Sequence, residues 1–150
     1  MNQLVLMIHI AGRRCVMAAH DVKSVIDLGA VAPVPQSPPF IAGITALRSQ
    51  TLTVIDCRLA LGLANDPWPS DSRAAVVGID GHFYALVVDA IEDITTALSE
   101  PGEIPGGFGE EWSRAAHGMI ETGIGPALLL NLPVLIAGPE ASLARMPSAA

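Results

Sequence analysis

The sequence predicts an all-β protein, a sandwich or barrel made of many short strands. Three observations point there. Apolar residues repeatedly alternate with polar ones, the period-two signature of a half-buried strand. These runs recur at a spacing of about 8–12 residues, as in sandwiches and barrels. The breaks between them are rich in glycine and proline, of which the 150 residues hold 14 and 12, the residue types that turns demand.

The elements follow in order. Leu4, Leu6, Ile8 and Ile10 alternate with Val5, Met7 and His9, so a first strand is expected there, with one strongly apolar face. Ala11-Gly12-Arg13 turns the chain into a second strand over residues 15–18. Asp21 is expected to cap a short helix carrying Val22, Val25 and Ile26 at i, i+3 and i+4. Pro33, Pro35, Pro38 and Pro39 then fix an extended loop and exclude helix.

Residues 39–63 are the most informative stretch. Ile44, Ala46 and Arg48 alternate with Thr45, Leu47 and Ser49, Arg48-Ser49-Gln50 is a polar reversal, and Leu52, Val54 and Ile55 resume an extended run. Asp56 is placed to N-cap one or two helical turns bearing Leu59, Leu61 and Leu63, with Gly62 ending them. The segment reads as a rigid ledge that displays an arginine.

Residues 64–72, with Pro67 and Pro69, form a polar break expected to carry the chain between two lobes of one domain. Residues 73–79 and 82–89 are two strands joined by Asp80-Gly81, a dipeptide suited to the positive φ angles of a two-residue hairpin turn. A short strand and a turn follow over 92–103, then the glycine-rich loop 104–109. Residues 115–121 and 125–131 form a last hairpin, residues 132–136 a short helix, and residues 139–150 a disordered tail.

Composition narrows the function classes. A net charge of −7 with eight Lys and Arg opposes sequence-independent nucleic-acid binding, which needs a basic footprint against phosphates. The most apolar stretch, residues 124–137, is broken by Pro126, Asn131 and Pro133 and is shorter than the ~20 residues of a spanning helix. Met1-Asn2-Gln3 lacks the basic start of a secretory signal, so the chain is read as cytoplasmic, with Cys15 and Cys57 as reduced, buried thiols.

Catalytic patterns are weak. His9, His20, His82 and His117 make no HxH, HExxH or His/Cys grouping, so no metal or other cofactor is expected. Neither the serines nor the cysteines sit in a nucleophile motif. The loop at residues 105–109 lacks a G-K-[ST] ending and runs into Glu110 and Glu111, which would repel phosphate. Asp89, Glu92 and Asp93 read as a solvated strand end. A small ligand-binding or hydrolytic barrel using His82, Asp89 and a Gly106-Gly107 lid is the alternative from another class.

Twelve residues carry a resemblance: Phe40, Ile41, Gly43, Leu47, Arg48, Val54, Ile55, Asp56, Arg58, Leu61, Gly62 and Leu63. They fit F-I-x-G-x-x-N-L-R-G-x-x-x-x-V-I-D-L-R-x-x-L-G-L, the pattern of the CheW-like chemotaxis adaptor domain. Ala46, Ser49 and Cys57 stand where that pattern has asparagine, glycine and leucine. Val87, Val88, Asp89, Ile91 and Asp93 also match an acidic segment of the family. The resemblance runs from about Leu4 to about Ile136, within a domain placed at residues 1–138.

The resemblance implies two SH3-like five-stranded β-barrels sharing a hydrophobic core, with short connecting helices. It implies a non-enzymatic adaptor that couples the cytoplasmic tips of chemoreceptors to the regulatory domain of the chemotaxis histidine kinase. It also implies a receptor groove holding Arg48, with Val22 and Gly43 at groove positions, Ser24 where the family commonly has glutamate, and Ala46 and Ser49 flanking. Kinase-binding residues are not assigned by it. The altered groove leaves a second reading, a divergent adaptor or decoy in a non-flagellar chemosensory pathway.

Overall fold

The computed structural model describes residues 3–63, 73–104 and 106–139. The strands, in chain order, are β1 (Gln3–Ile10), β2 (Arg13–Ala18), β3 (Val22–Asp27), β4 (Ile41–Leu47) and β5 (Gln50–Asp56). After helix α1 (Cys57–Ala60) come β6 (Arg73–Ile79), β7 (His82–Val87) and β8 (Ala90–Ala97). Helix α2 (Glu110–Ala115), β9 (Ala116–Thr122), β10 (Gly125–Leu130) and helix α3 (Leu132–Ala137) follow.

Two five-stranded lobes result, as the all-β reading requires. The first is a closed barrel in the order β1-β2-β10-β9-β8, and the second a sheet in the order β3-β6-β7-β5-β4. The second sheet curls: beyond β3 the chain returns to β4 through an Ala32–Ile44 bridge, with hydrogen bonds of 2.9 Å in both directions. Each lobe has its own apolar interior, Val5, Met7, Val16, Ile120 and Ala127 in the first and Leu28, Leu52, Val54, Val76 and Ala85 in the second.

A third cluster joins them. Leu6, Ile8, Ile10 and Met17 from the barrel meet Ile55, Ala75, Val77 and Leu86 from the second sheet, with Leu61, Trp112, Leu132 and Leu135 of the helical region closing it. Strand β1 is therefore buried on both faces, not on the single face its alternation suggests. Val5 and Met7 point into the barrel while Leu6, Ile8 and Ile10 point at the other lobe, because the two lobes pack sheet against sheet around one core.

The chain is partitioned between lobes in a way its loops do not announce. Residues 64–72, where the crossing was expected, lie outside the described residues. The strands that flank them, β5 and β6, belong to the same sheet. The passages between lobes occur instead at the 3₁₀ turn Ala19–Asp21 and between β7 and β8. A proline-rich break marks a loop but carries no information about which sheet its ends join. The tail expected beyond Pro139 likewise lies outside the described residues from position 140.

One expected element has the wrong type. Residues 22–27 form strand β3, not a helix capped by Asp21. The cause is a shift of register between Val22 and Ser24 against β6. An extra residue at such a bulge leaves positions three apart on one face, so Val22 and Val25 both pack on the shared core with what looks like helical spacing. Helix α2 was not anticipated. It buries only Trp112 and Ala115, too few positions to establish a period.

The remaining local signals hold. Asp80 and Gly81 have φ of 53° and 82° and form the tight turn between β6 and β7. Asp56 caps α1, its Oδ1 accepting from the Arg58 and Leu59 amides at 3.0 and 3.2 Å, although the helix is a single turn. Asn131 does the same for α3 through the Val134 amide.

Candidate interaction site

The ledge around Arg48 is built by the β4–β5 hairpin. Ladder pairs run from Ile41–Ile55 to Leu47–Gln50, which leaves Arg48 and Ser49 as the two turn residues with φ of 52° and 63°. A two-residue turn of this hand matches the twist of the flanking strands. Arg48 thus sits at the hairpin apex, one step beyond the strand on which its alternation places it. It is exposed, and its side chain makes no hydrogen bond or ion pair to another described residue.

Sheet register locates four of the other five residues singled out by the sequence, Ser49 being the second turn residue. Val22, Val77, Tyr84, Thr53 and Ile44 form one continuous row across the five strands. Ser24, Val76, Ala85, Val54 and Gly43 form the next. Neighbours in a row share a face and successive rows alternate. Val22 therefore shares its face with Ile44 and Ala46 but lies on the far edge strand, with β6, β7 and β5 between. Ser24 and Gly43 fall in the row that points at the interior of the second lobe.

The structure thus brings together Ala46, Arg48 and Ser49, all exposed at the hairpin end. Gly43 has a different use. A Cβ there would lie 2.3 Å from the Ala32 carbonyl oxygen and 2.8 Å from Val31 Cγ1. The close approach that its missing side chain permits is taken by this chain's own loop.

Beside Arg48 is a shallow depression of about 460 Å³ lined by Ala30, Val31, Ala32, Ile44, Thr45, Ala46 and Thr51. Ile44 is 40% exposed at its rim. Thr45 Oγ1 donates to the Ala30 carbonyl at 2.9 Å, so the one hydroxyl on β4 is occupied. Tyr84, in the same row as Ile44, extends this face toward the shared core and was missed in the sequence. Its alternation within β7 is legible, but the parallel pairing of β7 with β5 is not.

The acidic group at the start of β8 is structural. Asp89 accepts two hydrogen bonds from Arg58, at 3.0 Å from Nε and 2.5 Å from Nη2, and another from the Ala11 amide at 3.0 Å. Glu92 lies 2.7 Å from His9 Nε2 and 3.3 Å from Arg14 Nη2, while Arg14 also donates to the Ile124 carbonyl. These carboxylates were expected as a solvated strand end, with the resembled acidic segment supporting a structural role. Partly exposed, they tie α1, the β1–β2 turn and the β9–β10 turn together.

Nor do the groups of the hydrolytic alternative converge. His82 opens β7 and Asp89 follows its other end, a separation of about 20 Å along an extended strand. Among the described residues no three His, Cys, Asp or Glu side chains are grouped to hold a metal ion. Burial pushes the Cys15 thiol up to about 12 and raises Cys57 as well, so neither is a poised nucleophile. Burial also raises the Asp56 carboxyl, against the two backbone amides that favour its charge.

Comparison with protein families matches the CheW-like domain over residues 4–140. The chain belongs to the CheW-like domain family. Among solved structures, this CheW-like chain is similar to the scaffolding protein TtCheW from Thermoanaerobacter tengcongensis, with a TM-score of 0.78 over 90% of this chain and 92% of that one. Sequence identity is 24%, so the likeness is one of fold: two SH3-like barrels around a shared core. Comparison with curated protein sequences gave no match. No helix among the described residues is long and apolar enough to cross a membrane.

Proposed function

We propose that this chain is a cytoplasmic adaptor that couples the tips of chemoreceptors to the regulatory domain of a chemotaxis histidine kinase. The observation that carries the reading is Arg48, presented without a partner among the described residues at the apex of a hairpin beside an apolar ledge. A guanidinium so placed pairs bidentately with a carboxylate while its stem packs on apolar surface. Asp89 and Glu92, the acidic groups that would suggest chemistry, are engaged by Arg58, His9 and Arg14.

Such an adaptor transmits a signal only through unequal affinity for two receptor states, since a partner binding both equally shifts neither. The test is a pulldown of the full chain with a receptor-tip fragment and, separately, with the kinase regulatory domain. Binding to both is expected, and Arg48→Ala should cost receptor affinity about 1–3 kcal/mol, the scale of a hot-spot arginine, with kinase binding unchanged. No binding at tens of micromolar refutes the proposal. Equal loss of both partners puts Arg48 on the wrong surface. Ala46 and Ser49, which replace the asparagine and glycine of the resembled pattern, favour a second reading, a divergent adaptor or decoy in a non-flagellar pathway.

A further inference from the structure

We draw no further inference here: the strongest candidate, the exposed apolar strip of Leu4 and Ile94 on the β1–β8 pair with Leu98 just beyond β8, is an unpartnered sheet face, and nothing in the structure shows what covers it.

Discussion

Replacing Ser49 by glycine should make the protein more stable. Ser49 holds φ of 63° in the β4–β5 turn, the left-handed region that costs an L-residue with a Cβ about 1–2 kcal/mol. Glycine escapes that cost but enters with a freer unfolded chain, an opposing term of about 0.5–1 kcal/mol. The hydrogen bond that Ser49 Oγ donates to the Arg48 carbonyl is exposed and contributes little once water can replace it. The net gain is about 0.5–1 kcal/mol, and about 2–4 °C per kcal/mol for a chain of this size makes it a rise of about 1–4 °C in Tm. Thermal unfolding followed by circular dichroism, checked by urea titration, measures it. Ser49→Ala keeps the Cβ and should show no gain. A Ser49→Gly protein that melts at or below the parent temperature, or an equal rise for Ser49→Ala, refutes the assignment of strain to this turn.

Other outcomes follow from the same geometry. Gly43→Ala drives a Cβ onto the Ala32 carbonyl and should destabilise by about 2–4 kcal/mol, the range of steric and backbone conflicts in a buried site, read by urea unfolding. Asp56 has its carboxyl raised above 3.8, chiefly by burial. The native state therefore binds that proton more tightly than the unfolded state. Stability from this group is present at low pH and falls as pH rises from 3.8 through the native value. Asp56→Asn keeps a capping acceptor without the charge, so unfolding curves across the acid range should show the parent losing stability relative to the variant as pH rises. Cys15 and Cys57 are both buried with raised thiols. Thiol reagents at mildly alkaline pH should label neither in the native protein and both in urea, at a native rate set by unfolding.

The legibility of this chain divides along particular residues. The Asp80-Gly81 turn, the Asp56 cap and the reversal at Arg48-Ser49 could be read because each depends on a few neighbouring residues whose φ preferences or side-chain oxygens act locally. Strand β3 was misread for a physical reason of the opposite kind. A bulge opposite β6 gives Val22 and Val25 the spacing of a helix face, and the bulge exists only because β6 is there. Gly43 was placed in the groove by the resemblance, but that the chain's own Ala32 loop approaches it was not legible. The acidic group at Asp89 and Glu92 could be seen, whereas its partners Arg58, His9 and Arg14 are distant in sequence.

By itself the sequence determined that the chain would be strands and turns, where most of them start and stop, and that an arginine would end a hairpin beside apolar residues. These are consequences of backbone preference and of the two-residue period by which a strand presents its faces. Only the tertiary structure decided that β1 and β2 would join β8, β9 and β10 in one lobe while β3, β4, β5, β6 and β7 formed the other, that β1 would be buried on both faces, and that Val22 and Arg48 would end on opposite edges of a sheet. Strand partnership is chosen by which apolar faces can be buried together across the whole chain, and no local pattern encodes that choice.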